Sequence, residues 1–350
     1  MNASATGMAS PSDADEPLIH GGDLAAARRL FPGAPEPFLD LSTGINPTPY
    51  PVPPLAAELF AKLPDSVALD RLTAAAARTY GAASAGCVVA APGTQILLPL
   101  VAGLVSPGPA AVLTPTYGEH ARAAALAGHA VVEAADLNIA SNANLVVVTN
   151  PNNPDGRLFA RSDLLSLAKK LRAGGGLLVV DEAFMDVAPR DLSLAADTAH
   201  GNIVVLRSFG KFFGLAGLRL GFALAAPPMV TRLKTMLGPW AVSAAALTIG
   251  TQALADDAWI AATRRSLAAG AARLDAVLQR NKLDIAGGTA LFRLVRTPHA
   301  CALFHGLGRA GIWTRTFAEQ PDWLRFGLPG TEAGWERFAS VMAAFAGVGS

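Results

Sequence analysis

The chain has 350 residues, 51% of them hydrophobic and 16% charged, with a formal net charge of +1. So apolar a composition supplies a large core and suits two domains, or one large domain with a smaller partner. The basic residues are dispersed, which argues against nucleic acid as a ligand, and no uninterrupted apolar span reaches membrane length.

Residues 1–17, rich in Ala, Ser, Asp and Pro, are expected to form a disordered tail. They lack the basic start and apolar stretch of a secretion signal. Residues 18–45 are expected to pack with a small C-terminal domain, and the proline-rich piece 47–54 reads as an extended connector. From about residue 70 to 225, short apolar runs alternate with helical stretches. The expected strands are 87–90, 110–113, 130–133, 145–149, 177–181, 203–207 and 220–225; the helices between them include 69–80, 95–104, 119–127 and 161–172. This alternation indicates an α/β sheet with helices on both faces. The strands are apolar at successive positions, as strands covered on both faces are. Pro227-Pro228 marks a break. Beyond it come helical stretches at 229–237 and 243–281, strands at 290–296, 312–316 and 323–327, and a final helix at 332–345. The expected division is a large domain over 46–228 and linking helices with a smaller α+β domain over 229–350.

Cys87 and Cys301 belong to no CxxC pair or Cys/His cluster, and two reduced, buried thiols in a cytosolic protein are expected. The six histidines show no HExxH-like spacing, so no metal is expected.

Ligands of such sheets sit beyond the carboxyl ends of the strands, and the reactive residue types collect there. Lys211 lies in the glycine-rich, apolar run SFGKFFGLAGLRLG (208–221). Apolar surroundings lower a lysine pKa and free the amine to form an imine with a carbonyl cofactor. Arg219, further along the same run, is a fixed cation suited to a phosphate. Asp181 ends the apolar run Val179-Val180-Asp181 and can pair with a protonated pyridine nitrogen; alone, it reads better as a helix-capping acid. Asn153, in NPNNPDG (150–156), has its direction restricted by Pro154 and can meet a phenolic oxygen; alone, this is an ordinary tight turn. Gly93-Thr94 lies between a strand and a helix, which suits a phosphate as well as it suits an N-cap. Ser208 and Arg219 would complete that seat. Tyr117 follows another strand and can stack on a ring or simply pack. Amine, acid, arginine and the rest, in one order along one α/β unit, suggest pyridoxal phosphate. No GxxxxGK occurs, and the Gly214, Gly217, Gly221 spacing is not GxGxxG.

The motifs NPNNPDG, VVDEAF (179–184) and SFGKFFGLAGLRLG together resemble the pyridoxal-phosphate enzymes of fold type I, the class I/II aminotransferase family, over residues 18–345. The resemblance implies a large domain with a mostly parallel seven-stranded sheet, a smaller α+β C-terminal domain, and a cytoplasmic homodimer with its site at the subunit boundary. It makes Lys211 the residue that bonds the cofactor, Asp181 its pyridine partner and Asn153 its phenolic-oxygen partner. Tyr117 becomes the ring stacker, and Gly93, Thr94, Ser208 and Arg219 the phosphate holders. Arg325, in WLRFG (323–327), matches the arginine that grips a substrate carboxylate.

HGGD (20–23), LDLSTGINP (39–47) and GIWTRTF (311–317) are similar to the threonine-phosphate decarboxylase group of cobalamin biosynthesis. That likeness implies decarboxylation of L-threonine O-3-phosphate, with Arg315 on the substrate phosphate and His20 as a further contact. Histidinol-phosphate aminotransferases share the second arginine, so amino transfer on a phosphorylated amine is the alternative activity. A catalytically silent scaffold for a cobalamin-pathway enzyme is the alternative of another kind. Two positions depart from the family pattern. Phe184 replaces a tyrosine that donates to the phenolic oxygen, and Leu63 replaces a tyrosine that reaches the phosphate from the other subunit.

Overall fold

The computed structural model of the chain describes residues 21–138 and 143–346. The expected tail and His20 lie outside these residues. Thirteen strands are present among the described residues, in three sheets. In chain order they are β1 (Leu39–Asp40), β2 (Val88–Ala91), β3 (Pro109–Leu113), β4 (Ala130–Ala134), β5 (Leu145–Thr149), β6 (Leu177–Asp181), β7 (Ile203–Ser208), β8 (Gly221–Leu224), β9 (Asp284–Thr289), β10 (Phe292–Arg296), β11 (Ile312–Trp313), β12 (Arg315–Thr316) and β13 (Trp323–Gly327).

The seven-stranded sheet has the order β2-β8-β7-β6-β5-β3-β4. It is parallel from β4 through β7, and β8 runs antiparallel to both its neighbours. Successive side chains of a strand point to opposite faces, and here both faces are covered. Val146, Val148, Leu178, Val180 and Val205 enter one apolar cluster, together with Leu72, Ala76 and Leu164, Leu167 of the helices Ser66–Tyr80 and Arg161–Ala173. Leu145, Val147, Leu177, Val179 and Leu206 enter the other, against Leu97, Val101 and Ala123, Ala124 of the helices Leu97–Ala102 and Glu119–Leu126. Each fully buried Val or Leu contributes about 1.5–3 kcal/mol. Truncating one such side chain, as in Leu178→Ala, would cost about 2–5 kcal/mol because the packed layers cannot close over the gap.

The second sheet, β12-β13-β10-β9, is antiparallel throughout. β1 pairs in parallel with β11, which fastens the N-terminal segment beside this sheet.

Several expectations need correction. The helical stretch 243–281 is two helices, Ala244–Ala255 and Asp257–Arg280. Asp256 ends the first, and its carboxylate accepts from the Trp259 N–H at 2.9 Å to start the second. Strand 312–316 divides at Thr314, because its first half pairs with β1 and its second with β13. Pro227 and Pro228 do more than end the sheet region. They occupy the first turn of the helix Pro227–Leu237, where a missing N–H and a fixed φ cost nothing. Strand β9 and the helix Leu24–Leu30 were not foreseen. Cys87 is buried as expected, but Cys301 sits on the exposed side of the helix Ala300–Arg309.

Candidate active site

The carboxyl ends of β2, β6 and β7 open onto one cavity of about 310 Å³. Gly93, Thr94, Tyr117, Asn153, Asp181, Ser208, Lys211, Arg219, Arg315 and Arg325 all line it, which accounts for every expected site residue except His20. Gly21, next in the chain, is part of the wall.

Lys211 is carried by a single helical turn, Phe209–Phe212, directly after β7. The turn is held from behind. Its Lys211 carbonyl accepts from the Asn46 N–H at 2.9 Å, and the Phe212 carbonyl accepts from the Asn46 side chain at 2.9 Å. The Tyr50 N–H donates to the Phe213 carbonyl, also at 2.9 Å. The proline-rich connector thus braces the lysine. Phe213 stacks between Phe209 and Trp259, with centroids 4.4 and 5.6 Å away, and this leaves the turn no slack. The amine itself lies 5.9 Å from the Phe184 ring centroid. Burial, then the charge of Arg325, lower its pKa to about 8 against the opposing pull of Asp181. A lysine so placed is partly neutral near pH 8.

Asp181, at the end of β6, is buried. One carboxylate oxygen lies 3.0 Å from His120 Nε2, and the other accepts from the Ala183 N–H at 3.0 Å. It caps only its own turn, so the helix-capping reading fails. His120 was not singled out from the sequence. It stands three residues after Tyr117, at the start of the helix Glu119–Leu126, and that spacing was the available signal. Tyr117 meets His120 edge-on at 5.7 Å, and its hydroxyl donates to Gln95 at 3.1 Å. Burial, then Glu119, push the Tyr117 hydroxyl up to about 12.

The expected helix at 95–104 begins only at Leu97, with Ile96 as its cap and no side-chain cap bond. Thr94 is therefore not an N-cap, and its segment is free to line the cavity. Gly93 takes a φ of +87°, and a Cβ there would lie 2.6 Å from Arg219 Nη2. Only glycine lets that guanidinium settle on the backbone. A Cβ on Gly221 would come 2.6 Å from the Thr94 nitrogen, so a second glycine allows the same approach from β8.

Arg325 and Arg315 come from the second sheet, on β13 and β12. Arg325 is buried. It donates through Nη1 to Asn153 Oδ1, and through Nη2 to the Ser42 carbonyl at 2.8 Å. Its guanidinium carbon stands 5.0 Å from the Phe292 ring centroid. Burial and the neighbouring Arg315 hold its pKa below the usual arginine range. A negative partner would relieve that strain. The Asn153 amide oxygen is engaged by Arg325, which leaves its NH₂ to serve another acceptor. The Arg315 guanidinium carbon lies 5.5 Å from the Phe317 ring centroid, and burial lowers its pKa too. The structure thus brings together cationic groups of two origins, Arg219 from the large sheet and Arg315 with Arg325 from the small one.

Phe184 packs edge-on against Phe292 at 5.1 Å, so that wall of the cavity is apolar. Leu63 does not line the cavity and is 67% exposed. Among the described residues, no group of three or more His, Cys, Asp or Glu could hold a metal ion, and no helix is long and apolar enough to cross a membrane.

The family model for aminotransferases of class I and II matches residues 52–342. The chain belongs to this family. A threonine-phosphate decarboxylase of Sinorhizobium sp. is 43% identical over 334 residues, spanning 93% of this chain and 98% of that protein. Another, from Pseudomonas aeruginosa, is 41% identical over 331 residues, spanning 94% of this chain and 98% of that protein. Among solved structures, the histidinol-phosphate aminotransferase of Sinorhizobium meliloti in complex with pyridoxal-5'-phosphate aligns with a TM-score of 0.77. It is 21% identical, and the match covers 98% of this chain and 99% of that one. That likeness bears on the fold. In this class I/II aminotransferase-family chain, the seven-stranded, mostly parallel sheet and the smaller C-terminal sheet are the expected fold type I architecture.

Proposed function

We propose that the protein is a pyridoxal-phosphate-dependent decarboxylase that converts L-threonine O-3-phosphate to (R)-1-amino-2-propanol O-2-phosphate in cobalamin biosynthesis, working as a cytoplasmic homodimer. The observation that carries this reading is a single cavity lined by a buried, pKa-lowered lysine, a buried aspartate and three arginines. Supporting it, the two threonine-phosphate decarboxylases named above align over nearly the full length of the chain.

The residues present fit the cofactor. Arg219 lying over Gly93, beside Thr94 and Ser208, offers a phosphate both a cation and a close backbone approach. The Asn153 amide, with its oxygen already taken by Arg325, can give its NH₂ to the phenolic oxygen. Asp181, fixed by His120 and the Ala183 N–H, would hold the proton of the ring nitrogen. Tyr117 would cover one ring face, and Lys211 would hold the aldehyde covalently. When bound, pyridoxal phosphate supplies an electron-accepting ring that stabilises negative charge left at the substrate's Cα.

The chain's own residues choose which bond breaks. Arg325 would take the substrate carboxylate in a bidentate grip, and Arg315 its phosphate, so the two anionic ends set the orientation of the bond to be cleaved. His20 remains a proposed additional contact. With an amine pKa near 8, Lys211 Nζ can carry a proton and return it to Cα once carbon dioxide has left. Phe184 lines the cavity 5.9 Å from that amine and gives it an apolar neighbour.

Support for the dimer comes from exposed Phe60, Leu63 and Trp240, of which Trp240 lines a groove with Pro64, Leu69 and Leu237. Sedimentation of the pure protein at twice the monomer mass is expected; a monomer at micromolar concentration would remove that part of the reading.

The test of the reaction is to supply threonine phosphate to the cofactor-loaded protein with and without 2-oxoglutarate. Carbon dioxide evolved at equal rates in both is expected. Turnover that requires 2-oxoglutarate and releases no gas would make the protein an aminotransferase. Failure to take up the cofactor at all would point to a silent scaffold.

A further inference from the structure

Behind the cavity wall lies a buried ionic cluster that the chemistry above does not use. Strands β6 and β7 run in register as far as Asp181 opposite Leu206, and the last backbone rung joins the Glu182 N–H to the Leu206 carbonyl at 2.9 Å. Beyond it the two chains part. One turns through Phe184 into the short helical turn Met185–Val187, and the other becomes the turn that carries Lys211. The strands separate at the point where Asp181 and Ser208 must face a common ligand.

Side chains replace the missing rungs. Arg207 alternates with Ser208 and Glu182 with Asp181, so both point away from the cavity, and neither lines it. Arg207 Nη1 donates to Glu182 at 3.0 Å, and its Nη2 to Asp186 at 2.6 Å. All three side chains are at most 5% exposed. The Tyr80 ring closes the cluster 4.3 Å from the guanidinium carbon. Glu182 also accepts from the Ser193 hydroxyl at 2.6 Å and the Leu194 N–H at 2.8 Å. The Asp186 carbonyl accepts from Arg264 at 2.7 Å.

We infer that Arg207 is a positioning residue: by gripping Glu182 and Asp186, on either side of Phe184, it holds the Asp181 strand end in place against the strand end that carries Ser208 and Lys211. The inference rests on the reading of Asp181, Ser208 and Lys211 as the cofactor site. It does not depend on which reaction the loaded enzyme performs. Lysine at this position keeps the charge, but a single ammonium cannot reproduce a planar fork shared between two carboxylates. Burial already pushes the Glu182 carboxyl up, even with Arg207 beside it. The pair is therefore sensitive to any loosening of the grip.

The experiment compares cofactor-loaded wild type with Arg207→Lys and Glu182→Gln. It reads thermal stability, the visible circular dichroism of the bound cofactor, and kcat and KM for threonine phosphate. Visible dichroism reports how the ring is seated and requires no turnover. The expected result is an altered dichroic band at full cofactor occupancy, with kcat lowered about tenfold to a hundredfold, as for a misplacement near 1 Å, and KM changed much less. If Arg207→Lys does not fold, Glu182→Gln alone carries the test. A band and kcat equal to wild type, with only the melting temperature lowered, would overturn the inference by making the cluster purely structural. If wild type itself binds no cofactor, the site reading fails instead. If it binds but releases no carbon dioxide, only the reaction assignment fails.

Discussion

The two halves of the cavity wall are built differently. The half that carries Lys211, Asp181, Ser208, Gly93 and Arg219 comes from strand ends of one sheet and the short segments after them. The half that carries Arg315 and Arg325 comes from the second sheet, and Arg325 reaches back to Asn153 and to the Ser42 carbonyl of the N-terminal segment. The first half is carried by one sheet, with layers of buried Val and Leu beneath it. The second depends on contacts outside its own sheet, since Arg325 is held by Asn153 and Ser42. Chemistry common to a family belongs on the first kind of surface, and selection among ligands on the second.

The largest effect that would break this comparison is at Lys211. Lys211→Ala is expected to lower turnover by at least ~10²–10⁴-fold, the range of a positioned proton-transfer group alone, while the fold persists. Steady-state carbon dioxide release measures this, and a wild-type rate would remove Lys211 from the chemistry.

The same lysine leaves a mark on stability. Its folded pKa of about 8 lies below the ordinary 10.5. Between those values the folded chain therefore binds fewer protons than the unfolded chain, and stability rises with pH. The gain is absent below about pH 8, complete above about 10.5, and on the order of 3 kcal/mol. Denaturant unfolding of the cofactor-free protein should show this rise, and Lys211→Met should lack it and be the more stable of the two below pH 8. Parallel curves for the two proteins would mean that the amine is not desolvated.

On the other half, Arg325→Leu should act through substrate. A lost charge-assisted pair is worth about 1.5–3 kcal/mol, hence a roughly tenfold to hundredfold rise in KM, with cofactor affinity changed much less. If cofactor affinity fell as far as substrate affinity, the two halves would not be separable in function. The smallest expected effect is at Gly93. Gly93→Ala puts a methyl against Arg219 at a positive φ and should weaken cofactor retention about tenfold, a strain of 1–2 kcal/mol. Equilibrium dialysis of the cofactor would read it, and unchanged retention would show that Arg219 does not need its seat on that backbone.

A different division, between local signals and distant partners, decided what could be read from the sequence. The strand at 177–181 and its terminal Asp181 were legible because an apolar run and its boundary are local signals. So was 323–327, which holds Arg325. The Gly93 and Lys211 segments were legible because glycine and small-residue runs are rare enough to be noticed together. Illegible were features set by partners far along the chain. Nothing local divides 312–316 at Thr314; the change of pairing partner from β1 to β13 does so. Strand β9 holds Gly287 and Gly288, which weaken any strand pattern, and it exists because β10 folds back on it. His120 and the Arg207 cluster were missed because their meaning lies in what they touch across the sheet. Asp256 was a local signal passed over, an acid that breaks a run of helix formers.

The central claim is that the Lys211 amine is the one that bonds a carbonyl cofactor in this cavity. It is tested most directly by loading the protein with pyridoxal phosphate, reducing with borohydride, digesting, and locating the added mass by peptide mass spectrometry. The expected result is one stoichiometric modification, on the peptide containing Lys211. Modification at another lysine, or none under conditions where the protein retains the cofactor, would contradict it.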